Sequence, residues 1–169
     1  MTISKKLFLA TAFLVCATVV NAQVKLGHIN STQLLSSMPE TKVADSTLQK
    51  FGESLQAQLK TMSAEYDAKV ADYQSKAESM AEPVRTTKEK EIRDLGQRIQ
   101  DFQESAQQSV QKKKEDVYSP IIKKAEDAIK AVGKDKGYTY IFDASIGALL
   151  YSSDSDDIMT LVKAKLGLK

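Results

Sequence analysis

The 169-residue sequence has no tryptophan, one cysteine, one histidine, three prolines and seven glycines. Each scarcity excludes something. A lone cysteine, Cys16, forms no intramolecular disulfide, so stability must come from packing and association. With His28 as the only imidazole, the chain has neither a zinc-type ligand cluster nor the material for a triad-type nucleophile. Its glycines are isolated, which excludes a phosphate-cradling loop. Asp154, Asp156 and Asp157 lie close together but do not follow a calcium-loop pattern, and they read as loop and helix-start charges. No catalytic, cofactor-binding or metal-binding residue is assigned, and the chain is not expected to be an enzyme.

What is present begins with an address. Lys5 and Lys6 precede an uncharged apolar run over residues 7–20, and Val20-Asn21-Ala22 supplies a signal-peptidase site with cleavage after Ala22. At about 14 residues the run is short of the roughly 18–20 needed to span a bilayer, which disfavours a retained anchor. Phe13-Leu14-Val15 before Cys16 lacks the small residue of a lipoprotein site. Residues 1–22 are therefore expected to be a signal peptide, removed on export. Loss of Lys5 and Lys6 leaves 22 basic against 22 acidic residues, and that neutral balance argues against nucleic acid as a partner.

The mature chain begins and ends in short apolar segments. Residues 24–29 read as a strand, residues 138–143 as another and residues 148–151 as a third, together a small sheet with open edges. Ser31 or Thr32 is expected to cap a short helix running to Met38 and closed by Pro39, and Ser155 or Asp156 a last helix carrying Ile158, Leu161, Val162 and Leu166. Between the sheet segments lies a helical pattern of a different kind. Leu48, Phe51, Leu55, Leu59, Met62, Tyr66, Val70 and Tyr73 recur at steps of three or four, and Ile92, Leu95, Ile99, Phe102, Ala106 and Val110 repeat the pattern beyond Glu82-Pro83. Two similar seams broken once predict an antiparallel hairpin over residues 41–119, its tip near 82–84 and Pro120 kinking the second helix where it joins the body. An arm of about 40 residues reaches roughly 60 Å, too long to be enclosed by a body built from residues 23–40 and 120–169. The fold class is α+β, mainly α: a long coiled-coil hairpin projecting from a small strand-containing body made by both chain ends.

Isolated features read as ordinary structure. His28 is expected to be packed or interfacial. Lys112-Lys113-Lys114 spreads around a helix and reads as a solvated face, with weak contact to an acidic partner or a membrane surface as the second reading. Met62, Tyr66, Val70 and Tyr73 pack in the seam, yet a two-helix arm has no third layer, so they are also the candidates for contact with a bound partner.

Three stretches resemble the Skp/OmpH family of periplasmic chaperones, in a Bacteroidetes-type form. They are Lys25-Leu26-Gly27-His28-Ile29-Asn30-Ser31 running on to Met38-Pro39-Glu40, Tyr140-Ile141-Phe142-Asp143 followed by Leu149-Leu150-Tyr151, and Asp157-Ile158 leading to Lys165-Leu166-Gly167. The resemblance implies a homotrimer whose terminal strands form a barrel-like body. It also implies three arms around a cavity that holds unfolded outer-membrane β-barrel proteins without ATP. Val24, Leu26, Ile29, Tyr140, Phe142 and Leu149 are then the residues expected to build the oligomerisation body. Two departures stand out. The best-known members are strongly basic, whereas residues 40–119 carry 13 basic against 15 acidic side chains, and Met159 replaces a common threonine. The competing reading of the same layout is a scaffolding coiled coil that bridges folded envelope partners.

Overall fold

The structure, a computed structural model, describes residues 24–168. The expected signal peptide, its cleavage after Ala22 and Cys16 lie outside the described residues. In chain order the elements are β1 (Leu26–Ile29), α1 (Ser31–Ser37), α2 (Pro39–Lys76), α3 (Glu82–Lys136), β2 (Tyr140–Asp143) and α4 (Met159–Lys165), with 3-10 turns at Ala77–Ser79, Ala144–Ile146 and Asp154–Asp156.

Local chemistry sets each boundary. Asn30, one residue before the expected cap, starts α1 by accepting from the Gln33 amide at 2.9 Å. Pro39 does more than end α1: it is the first residue of α2, where its missing N–H has no helical partner to lose. Pro83 sits likewise in the first turn of α3, so the arm's turn falls at 77–81, a few residues before the expected 82–84. Gly137 ends α3 in a left-handed conformation (φ 69°), and the Tyr138 amide closes back on the Gly133 carbonyl at 2.9 Å. Pro120 lies inside α3, which continues through it.

α2 and α3 form the antiparallel arm. α2 alone, with 38 residues, is about 57 Å long. The register is marked by Lys69–Glu91 (3.1 Å) and Lys88–Asp72 (3.6 Å) in the outer half, and by Tyr118–Asp45 and Lys124–Glu40 at the root. Such surface pairs contribute little energy each. They do fix which residues face each other.

The body holds the one continuous core. Ile29, Leu34, Met38, Ile158 and Val162 are at most 2% exposed and pack with Val132 against the inner face of β1 and β2. α3 presents small residues to them, Ala125, Ala128 and Gly133, so that its backbone comes close: a Cβ on Gly133 would lie 3.0 Å from Ile141 Cδ1. β1 and β2 pair in parallel, with Leu26 opposite Tyr140 and Ile29 opposite Asp143. The expected third strand over residues 148–151 is not formed in the single chain. The other edge of β1 is taken instead by a parallel bridge from His28 to Asp157, with the Ile158 amide donating to the His28 carbonyl at 3.0 Å. The segment leaves the outer edge of β2 unpaired, and Leu150 and Tyr151 extend into solvent, 99% and 87% exposed. Among the described residues no helix is long and apolar enough to cross a membrane.

Gly27 marks the tightest point of the body. A Cβ there would sit 2.9 Å from the Tyr138 ring and 3.1 Å from Ile158 Cγ2. Gly27→Ala is therefore expected to cost about 1–3 kcal/mol. Gly52→Ala, at a mid-helix position with open space around it, should stabilise by about 0.5–1 kcal/mol. Urea unfolding of both variants at one protein concentration checks the opposite signs.

Candidate functional site

Two surfaces are built to meet something. The first is the outer face of the sheet. Parallel register places Leu26 beside Tyr140 and His28 beside Phe142, so these four side chains share one face while Gly27, Ile29 and Ile141 line the other. Val24, Leu26, Tyr140 and Phe142 are 57%, 46%, 61% and 44% exposed, and the Tyr140 and Phe142 rings stack at 6.3 Å. Ile29 takes no part in this surface. At 2% exposed it belongs to the core, because adjacent strand residues point to opposite faces. Leu149 is half-buried beyond β2, and Ile146 joins the exposed set. Sequence reading missed Ile146 and misjudged residues 148–151, since exposure of an apolar residue leaves no mark in its own sequence.

Polar groups around the face are already engaged. His28 Nε2 lies 3.1 Å from the Ser153 carbonyl, which makes it a fastening between β1 and the following loop. Lys25 stands over the Tyr138 ring at 4.2 Å and donates to the Lys136 carbonyl at 3.0 Å. Asp143, at the end of β2, accepts from the Ser31 hydroxyl (2.6 Å), the Ser31 amide (3.2 Å) and the Ser145 amide (2.8 Å). Burial pushes this carboxyl up, but the bonds from Ser31 and Ser145 outweigh it and hold Asp143 down to about 2. The carboxylate also sits at the start of α1, where a helix favours negative charge. The sequence signal for this clamp was the Asp143–Ser145 spacing of an Asx-turn; its link to Ser31 is a tertiary fact.

The second surface is the arm seam. Met62, Tyr66, Val70 and Tyr73 lie on one stripe of α2 in its outer half, each half-buried against α3. Tyr66 rests over Gly96, with 3.5 Å between its ring and the position of a Cβ there. Tyr73 donates to Glu89, and that hydrogen bond raises the phenol above its ordinary range. Leu95 is the one fully buried side chain of the outer arm, 1% exposed. Lys112 and Lys114 are exposed, while Lys113 turns into the seam with its ammonium 6.0 Å from the Phe51 ring. Among the described residues no group of three or more His, Cys, Asp or Glu is placed to hold a metal ion.

A projecting two-helix arm on a strand-and-helix body with a bare apolar sheet face defines a class of protein that works through surfaces. The OmpH-like outer membrane protein family model matches residues 25–166, and the chain belongs to that family. Similar curated proteins include chaperone protein Skp of Photorhabdus laumondii, 25% identical over 161 residues covering 94% of this chain and 96% of the relative. The Skp of Vibrio cholerae is 26% identical over 136 residues, 76% of each chain. In structure, an OmpH-like protein from Caulobacter crescentus superimposes with a TM-score of 0.75 at 16% identity, covering 86% of this chain and 85% of the other. Both curated relatives are chaperones.

Asp143 gives a pH test. Its folded value of about 2 lies below the ordinary 3.8, so its contribution is full above about pH 4 and is lost as pH falls through 2. Asp143→Ala is expected to cost about 1.5–3 kcal/mol at pH 7. Urea midpoints of the two proteins should converge as pH is lowered from 4 to 2.

Proposed function

We propose that this protein is an exported, ATP-independent holdase of the periplasm that binds unfolded outer-membrane β-barrel proteins in a cavity between helical arms. The observation that carries the reading is the bare apolar sheet face at the root of a projecting arm. Val24, Leu26, Tyr140 and Phe142 form a contiguous exposed set, while the residues behind them are fully packed. Exposed apolar surface of this kind is a contact awaiting a partner. β2 also presents an open edge, because β1 lies on one side of it and nothing pairs on the other among the described residues. Association of three copies through this end buries the face, covers the edge and gives Leu149, Leu150 and Tyr151 neighbours. Three arms then stand around a shared space.

The arm suits a holdase because its seam is never closed. A third layer is missing, so Met62, Tyr66, Val70 and Tyr73 keep part of their apolar surface accessible. Many such weak contacts hold an unfolded chain without selecting one sequence, and release needs no nucleotide, only a stronger competing fold. Near-neutral charge limits attraction to lipid, leaving membrane-surface contact through Lys112 and Lys114 as a minor term.

The test is the mass of the signal-less protein by light scattering, alone and with a urea-diluted outer-membrane β-barrel protein. A trimer that forms a soluble complex without nucleotide is expected. A monomer, or a trimer that lets the barrel protein aggregate, moves the reading to a scaffold for folded partners. Phe142→Asp places a charge in the proposed interface. Sedimentation should then find dissociated chains, with suppression of aggregation lost in parallel; an intact trimer would refute the body assignment.

A further inference from the structure

The only histidine of the chain stands on the bare face of the sheet. His28 pairs with Phe142 and shares that face with Leu26 and Tyr140. It is half-buried, because the 3-10 turn at Asp154–Asp156 and the bridge from Asp157 lie against β1. Its Nε2 is 3.1 Å from the Ser153 carbonyl. A carbonyl oxygen can only accept, so Nε2 carries the hydrogen and Nδ1 is the basic nitrogen. Among the described residues Nδ1 makes no hydrogen bond, yet no polar side-chain atom is buried without one, so Nδ1 reaches water. An added proton therefore goes to Nδ1 and leaves the bond to Ser153 whole. The separate chain accommodates both charge states.

Association through the sheet face changes that. Leu26, Tyr140 and Phe142 then meet another copy, and the imidazole among them loses its water. Three-fold symmetry places three imidazoles in such contacts. A neutral ring packs there at little cost, whereas an imidazolium gives up its hydration to apolar neighbours. We propose that His28 is an acid-operated switch of assembly, neutral and packed in the trimer and charged in separated chains. The inference rests on the trimer of the holdase reading and adds its regulation.

The charged groups nearby do not reverse the sign. Asp154, Asp156 and Asp157 belong to the same chain and favour the imidazolium in both states, and Asp157 is also engaged by the Met159 amide at 2.8 Å. Lys25 is turned to the Tyr138 ring and the Lys136 carbonyl. From β2 this face receives Tyr140, a phenol, while Asp143 is held by Ser31 and Ser145. α3 packs behind the opposite face and brings no charge here. The assembled state excludes the proton, so acid favours separation. Assembly is full above about pH 7 and weakens as pH falls through the imidazole range toward about pH 5.

The experiment follows the mass of the signal-less protein by light scattering from about pH 7.5 to about pH 5.5, with helix content by circular dichroism at each step. The dissociation constant for three chains should rise about tenfold for each imidazole excluded from water, up to about a thousandfold, with helix content unchanged. His28→Gln keeps an amide donor for Ser153, and His28→Phe keeps a flat ring beside Phe142; neither titrates, and whichever assembles should hold its mass across the range. A parent trimer unchanged at the acid end would overturn the inference, as would a variant that dissociates in parallel with the parent. Loss of helix together with mass would overturn it too, since the fold and not the contact is then acid-sensitive. If neither variant assembles at neutral pH, the role of His28 is its neutral packing and the switch is refuted. A parent that is monomeric at about pH 7.5 would instead overturn the trimer of the holdase reading itself.

Discussion

The parallel pairing of Leu26–Ile29 with Tyr140–Asp143 is the constraint on which the rest of the molecule depends. About 110 residues separate the two strands, and two strands of four residues cannot by themselves repay the entropy of closing so long a loop. The hairpin solves this by bringing its own ends together: α2 leaves the body and α3 returns to it, so the strands meet as a consequence of the arm folding. The pairing is then secured from behind by α3, whose Ala125, Ala128 and Gly133 let it lie close under Ile141, and from the side by the Asp143–Ser31 clamp.

Body and arm consequently obey different rules. The body has a core with residues at most 2% exposed, built from both chain ends, and it tolerates no added atom at Gly27. The arm has almost no buried side chain over its length. Its cohesion comes from a two-helix seam, helix-forming composition and intrahelical pairs such as Lys90–Asp94, each a small increment. A rigid base bearing a loosely packed extension is a physical arrangement suited to holding partners of no fixed shape.

Much of the architecture was legible because it is periodic. Seam positions from Leu48 to Tyr73 and from Ile92 to Val110 repeat at helical spacing, and every one of them is at least half-buried. Prolines were read with less success. In sequence Pro39 and Pro83 read as breaks, and both open helices, since a proline in the first turn forfeits no hydrogen bond. The last strand differs for another reason: residues 148–151 have strand composition, but composition does not say whether a segment takes the open edge of β2, and in the single chain it does not. Among the residues expected in the oligomerisation body, Ile29 and Leu26 lie three apart, and the two-residue period of a strand puts them on opposite faces.

By itself the sequence determined the long helices, their antiparallel return and the presence of strands on either side of them, all of which follow from local propensity and spacing. Tertiary structure decided which strand edges are occupied, which side of the sheet stays bare, and that Asp143 is held by Ser31 across the body. Those are matters of which residues meet across more than a hundred positions. Periodicity states the face a residue lies on, and only packing states whether that face is covered.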